Sequence, residues 1–493
     1  MSSFFRHYSP FLPILDPQTS PNAYYSQAPM LFWAVVGVSS RTYPRNPTLL
    51  TALSQRIIEL ALLSPTSPSP PSHLIQGLLI LLTWALPKES RPDVTFPMSG
   101  LMLHIAMQNG LHIPVSSNEF SRVKIAPPSE AVMVRRAELW AHCVVVYQRI
   151  FVMKGQSLRA LLSLAQDPGQ HQVLFDKVSP SLVLKIRCQG IIAQCSEEIL
   201  KNGVRTMSLD QERALDILLQ IYEGQIDEMA LQAVTGRYSF YPADTRYLRN
   251  IDDEKFQCAI CRIAIQTFHF YKTQTIVSSG CLPRVVNTMC TMIDSIQALA
   301  DRLGCLSIAP ISVCYGLLVS STSLLRILKS TASKSLDFNR ARSSLFLAIN
   351  LAKKMSVEST DTAAKLTTIL KQLWNSKKAF RKPDGSEYTA LRIRSRLTHS
   401  VVIDTVWWWR DEFDPQTRDI TLARAESDIS AIVPSTHPGE PPGSQSTNIA
   451  AEGQEAFPLD ELFLADFEWA LGDDPLFAPD PAPPTWPTSS HVL

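Results

Sequence analysis

From Phe4 to Phe413 the apolar residues come in blocks of helix length, set off by proline or glycine, and they rarely alternate with polar residues in the rhythm of a half-buried strand. That pattern restricts the chain to helices packed on helices. The opening stretch clusters aromatic and aliphatic residues around Pro10, Pro13 and Pro17, and Leu31, Phe32, Val35, Val36 and Val38 then form a run suited to a buried helix. An amphipathic segment over Leu49–Leu63 ends in the proline-rich loop 64–72, and a very apolar segment follows over 74–86. After a break at 87–97 the pattern resumes over Ser99–Gly110.

Ser129, followed by Glu130, has the form of a helix N-cap, and behind it Leu139, Cys143, Val146 and Ile150 share one helical face. Ser208 and Gln211 have capping-box spacing ahead of the stripe Leu215, Leu218, Leu219 and Tyr222. The same logic predicts helices over 256–270, 285–303, 312–328, 341–355 and 360–374. The expected class is all-α, with roughly 14 to 18 helices and no internal repeat of solenoid length.

Charge divides the 493 residues unevenly. After Arg424 there are twelve acidic residues and no Lys or Arg, so a chain of net charge +1 carries about +13 on its larger part. Residues 426–456 are rich in Pro, Gly, Ser and Thr and poor in large apolar side chains. They are read as a disordered linker between a helical body at 1–425 and an acidic segment at 457–477, with a disordered Pro-rich end at 478–493. In the acidic segment Leu459, Leu462, Phe463, Phe467, Trp469, Leu476 and Phe477 are interleaved with six carboxylates. Such mixing keeps aromatics solvated until a partner groove takes them as a short helix, the behaviour of disordered transcriptional activation segments that engage coactivators. Docking of this segment back on the body is the competing reading.

Several function classes find no support. No signal peptide opens the chain, and the apolar run Leu74–Leu86, at 13 residues, falls short of the about 20 needed to cross a bilayer, so neither secretion nor a membrane partner is expected. The nine cysteines, an odd number spread through apolar segments, read as reduced core thiols. Cys258 and Cys261 form a lone C-x-x-C without a second close pair, too few ligands for structural zinc. No metalloprotease, nucleophile-elbow, phosphate-loop or dinucleotide motif is present. An enzyme is therefore not expected, and no catalytic, cofactor or metal residue is assigned. Asp16, Asp404 and Asp411 have the look of turn or cap residues. The dispersed bases of 377–396 read as a solvated face rather than a nuclear-import patch. Trp407, Trp408 and Trp409 point to several sides of one helix, so one of them must be packed deeply and another is free to lie at a groove or interface.

Three stretches resemble the regulatory region of fungal zinc-cluster transcription factors, and within that family the transcriptional activator of secreted proteases. They are Phe4–Arg41, with Phe11, Pro13, Asp16, Phe32, Trp33 and Arg41; Arg136–Gln156, with Trp140 and Arg149; and Leu391–Phe413, with Arg396 and the three tryptophans. Phe151 and Val152 depart from the more usual polar pair. The resemblance implies an all-helical middle homology domain that controls a C-terminal activation segment. Full-length members precede it with a zinc cluster of six cysteines and a coiled coil, neither of which lies in these 493 residues. Zinc is accordingly expected only in such a head and no cofactor in this chain; the location implied is the nucleus.

The resulting expectation is a regulator of RNA polymerase II transcription, in a form lacking its DNA-binding head. It would contact DNA only indirectly or through such a head, dimerise with a full-length relative, and respond to a small-molecule effector. The alternative is an all-α small-molecule-binding protein or metabolic enzyme. A deep pocket with convergent polar groups would favour that alternative; a purely apolar one would not.

Overall fold

A computed structural model describes residues 1–413, apart from 88–92, 114–116, 121–128, 158–177, 204–206, 236–250, 274–279, 360, 383, 388 and 389. The linker, the acidic segment and the Pro-rich end lie outside the described residues. Fifteen α-helices run through the described chain, joined by turns and six short 3-10 segments. The one β-like feature there is an isolated bridge between Arg381 and Glu387.

The helices build two adjoining hydrophobic cores. The first is built from α1 (Ser2–His7), α2 (Pro21–Gln27), α3 (Pro29–Ser40), α4 (Leu49–Leu62), α5 (Pro71–Thr83), α6 (Thr95–Gln108) and α7 (Glu130–Met153), with Val178, Leu182, Val183 and Ile308 joining it from later in the chain. Proline opens α2, α3 and α5, where its missing N–H costs nothing and its fixed φ suits the first turn. The helices α3 and α5 approach closely because Gly77 faces Met30 and Leu31: a Cβ there would lie 2.6 Å from the Met30 Sδ and 3.3 Å from the Leu31 Cα. Phe4, Tyr8 and Trp84 stack into one aromatic cluster beneath this pair.

The second core holds α8 (Pro180–Asn202), α9 (Leu209–Thr235), α10 (Ile251–Gln266), α11 (Leu282–Leu303), α12 (Ile311–Leu328), α13 (Phe338–Met355), α14 (Thr362–Asn375) and α15 (Ser400–Phe413). Its axis is α12, in which every residue from Ser312 to Leu328 except Cys314 is buried. By length and hydropathy α12 is a better membrane-span candidate than 74–86, yet 89% of it is buried within the fold, the position of a core helix.

The capping box forms as expected: the Ser208 amide donates to Gln211 Oε1 at 2.8 Å and the Gln211 amide donates to Ser208 Oγ at 3.3 Å. Asp337 and Asp361 cap α13 and α14 by accepting from the Arg340 and Ala364 amides. Ser129 precedes α7 but makes no side-chain cap; its backbone carbonyl accepts from Val132 and Met133 instead.

One other expectation is corrected, that of Asp404. The bases of 377–396 are mostly exposed, as a solvated face requires, and they lie on an irregular loop held by side chains of the second core. Tyr271 Oη lies 2.6 Å from the Arg394 carbonyl and 3.0 Å from that of Leu397. Asp404 is not a terminal cap but a fully buried carboxylate that holds the same loop, accepting from the Arg392 amide at 2.9 Å and the Ile393 amide at 3.2 Å. Asp16 does behave as a turn residue, accepting from the Gln18 amide at 2.9 Å, and Asp411 pairs with Arg392 at 2.7 Å.

Candidate functional site

The two cores meet along a seam tied by polar contacts. Trp84 Nε1 donates to the Ile308 carbonyl at 2.9 Å, and Arg41 donates from Nε to the Ser307 carbonyl at 3.2 Å. Thr51 of α4 bonds to Glu358 in the connection between α13 and α14. Beside these ties lies a cavity of about 240 Å³, lined from the first core by the ends of α3, α5 and α7 and by residues 93–98, and from the second by α12, the α13–α14 connection and His399. It opens here because several helix ends converge where neither core can fill the gap with its own stripe of side chains.

The walls are mixed. Leu82, Met98, Ile150 and Leu318 supply apolar surface, and Arg41, Asp93, Lys154, Glu358, Asp361, Lys365 and His399 supply charged or titratable groups. Lys154 is paired with Asp93. Asp361 spends its carboxylate on backbone amides: Val357 at 2.7 Å, Glu358 at 3.1 Å and Ala364 at 2.9 Å. His399 is stacked on Tyr315 with ring centroids 5.9 Å apart; burial, reinforced by Lys154 and Arg396, pushes its imidazole down to about 3. Burial likewise pushes the Cys314 thiol up to about 12. At neutral pH the imidazole is therefore uncharged and the thiol protonated, groups suited to enclosing a ligand rather than attacking one. A convergent polar set on apolar walls is the lining expected for the small-molecule-binding alternative.

Of the residues singled out in the sequence, Arg41 lies in this cavity, and Arg396 abuts its rim through Gly155. The left-handed φ of +64° at Gly155 brings its Cα against the Arg396 backbone, where a Cβ would lie 2.4 Å from the Arg396 carbonyl oxygen. Two of the three family-like stretches are thus in direct contact. The others are spread through the fold. Phe11 is half-buried in the first core, Pro13 and Asp16 are exposed, and Phe32 and Trp33 stack edge-to-face at 5.4 Å. Trp140 is buried near His112. Arg149 donates from Nη2 to Gln257 Oε1 at 2.6 Å, tying α7 to α10.

The tryptophan triplet divides as its spacing requires. Trp409 is buried and donates to Gln372 Oε1 at 2.5 Å, Trp408 lies 3.9 Å beneath the Arg392 guanidinium, and Trp407 is 36% exposed. Cys258 and Cys261 are both core thiols, Cys261 donating to the Cys188 carbonyl at 3.3 Å. The residues Leu459, Leu462, Phe463, Phe467, Trp469, Leu476 and Phe477 lie outside the described residues. Sequence reasoning passed over Asp93, Lys154, Glu358, Asp361 and His399, which come from separate segments with no shared spacing.

Residues 1–153 match the fungal specific transcription factor domain, and the match ends at the last residue of α7. The SEF1 protein of Kluyveromyces lactis is 35% identical over 127 residues, covering 25% of this chain and 11% of that protein. The transcriptional regulatory protein SEF1 of Candida albicans is 35% identical over 132 residues, covering 26% of this chain and 14% of its own length. SEF1 of Saccharomyces cerevisiae is 33% identical over 128 residues, 26% of this chain and 11% of that protein. The alignments thus span only 11% to 14% of these relatives. No solved structure matches the chain. The matched residues 1–153 take in the helices α1–α7, and the family and relatives matched are transcription factors rather than enzymes.

Proposed function

We propose that the chain regulates RNA polymerase II transcription in a fungal nucleus by recruitment, the helical body at 1–425 controlling an acidic-aromatic activation segment at 457–477 that engages coactivators. The match of residues 1–153 to the transcription factor domain carries this reading. The base-free tail, with apolar side chains at helical spacing among carboxylates, supports it. Contact with DNA in this scheme is indirect or runs through a zinc-cluster head outside these 493 residues, and dimerisation with a full-length relative is part of the same proposal.

The seam cavity gives the body a place to receive an effector. A ligand wedged between two cores shifts their relative packing only if it binds one arrangement better than the other, and a site lined by both cores is where such a difference can arise. The same mixed lining suits the alternative of a dedicated small-molecule binder.

Tethering residues 440–493 to a heterologous DNA-binding domain tests the recruitment reading. A reporter should be activated, and activation should be lost when Phe463, Phe467 and Trp469 are changed to Ala. A silent reporter removes the activation segment from the proposal.

A further inference from the structure

The guanidinium of Arg41 lines the seam cavity without a direct ion pair, the carboxylates of Asp361 and Glu358 acting on it only through space. Arg41 follows directly on α3, and its guanidinium donates to neutral acceptors, Nε to the Ser307 carbonyl at 3.2 Å and Nη1 to the Ala85 carbonyl at 3.0 Å. Carbonyl oxygens fix the orientation of the planar fork without cancelling its charge. Among the described residues no carboxylate lies within ion-pair distance of Arg41. The three acids in the cavity wall are engaged elsewhere: Asp93 with Lys154, Asp361 with three backbone amides, and Glu358 with the Thr51 hydroxyl. An arginine cannot shed its proton to relieve the cost of burial, so the charge persists. Next to it lie apolar walls formed by Leu82, Met98, Ile150 and Leu318.

We propose that the seam cavity binds a small monoanionic ligand with an apolar body, a monocarboxylic acid, whose carboxylate completes the coordination of Arg41 while its hydrocarbon part lies against Leu82, Met98, Ile150 and Leu318. This rests on the reading of the cavity as an effector site and adds the chemical class of the effector. Three bases and three acids line the cavity, so selection is by the position of one guanidinium that has no direct ion pair rather than by a net positive field. The anion preference is therefore only weakly sensitive to salt. Because Arg41 bonds to carbonyls from both sides of the seam, the ligand also bears on how the two cores are joined.

The test uses the full chain in calorimetric titrations with octanoate and 3-phenylpropionate, each against its neutral amide. The acids should bind at least about tenfold more tightly than the amides, the scale of one charge-assisted hydrogen bond in a buried site. Arg41→Gln should abolish that preference and Arg41→Lys should keep part of it. Since Arg41→Gln also removes ties across the seam, Met98→Trp serves as a second variant that fills the apolar wall and leaves the guanidinium in place; it should eliminate binding of acids and amides alike. Equal affinity for acid and amide, no binding of either acid, or acid binding unchanged in Met98→Trp overturns the proposal. A tail that activates in the tethered reporter while the acids fail to bind removes the ligand assignment alone. Binding of the acids with a silent tail removes the recruitment reading and leaves the anion site standing.

Discussion

The guanidinium of Arg326 and the carboxylate of Asp404 meet inside the second core, Nη1 to Oδ2 at 2.5 Å, across 78 positions of sequence. Arg326 also donates to the Ala390 carbonyl at 2.8 Å and stacks over Phe380, while the second oxygen of Asp404 receives the Arg392 and Ile393 amides. One ion pair thus fastens the loop before α15 to the central helix α12. Removing one partner strands a buried charge, so Asp404→Ala should cost about 3–5 kcal/mol in urea unfolding. The double change Arg326→Met with Asp404→Leu should cost clearly less than the sum of the single changes. Additive effects would show that the two groups act independently.

Gly155 should be far less replaceable than other glycines of the same backbone class. Gly155 and Gly304 both have left-handed φ, +64° and +68°, but only Gly155 is backed by another backbone, that of Arg396. Gly304→Ala should lower stability by about 1–2 kcal/mol, the cost of the conformation alone. Gly155→Ala should cost clearly more, because the obstructing atom is a carbonyl oxygen that cannot rotate away. Thermal melts of the two variants compare them directly; equal losses would mean that the contact with Arg396 yields readily.

Acid should weaken the fold through His399. Its folded pKa lies at about 3, below the ordinary value near 6.5, so the folded state holds a neutral imidazole while the unfolded chain takes up a proton as pH falls through the unfolded value. The contribution is fully present above that value and declines through the window from about 6.5 down toward 3. Between pH 7 and pH 5 this one group should withdraw about 2 kcal/mol. His399→Gln should flatten the pH dependence of the unfolding free energy in that window, whatever it does to absolute stability. An unchanged slope would exclude the imidazole as its source.

The three tryptophans of α15 should separate cleanly in denaturation. Trp409→Ala empties a buried site and orphans the Gln372 carbonyl oxygen, a loss of about 3–5 kcal/mol. Trp408→Ala forfeits stacking with Arg392 and the edge-to-face contact with Phe380, a loss of about 1 kcal/mol or somewhat more. Trp407→Ala should stay within about 0.5 kcal/mol, since its ring is already partly in water. A large loss at Trp407 would instead reveal packing against residues outside the described part of the chain.

Helix-forming segments were readable because their signals are local. Capping at Ser208, proline at the starts of α3 and α5, and the apolar face of α7 each depend on neighbours within a few residues. The triplet Trp407–Trp409 was readable for the same reason, three consecutive side chains being obliged to leave a helix in different directions. Asp404 was misread because its partner Arg326 lies 78 positions away in sequence and nothing in its own surroundings announces a buried charge. Ser129 has the right residue type at the right place, yet the bond it was expected to make is absent.

The cavity marks the same division most clearly. The all-α class, the two-part charge distribution and the family of residues 1–153 follow from short-range pattern and resemblance, which survive without coordinates. Which of two cores each helix joins, and the gap left between them, follows from how fifteen helices share limited volume, a property of long-range packing. Arg41 was visible as part of a family-like stretch. Only the folded chain places its guanidinium in a cavity with apolar walls and no direct ion pair, because the groups that surround it are brought together from both cores.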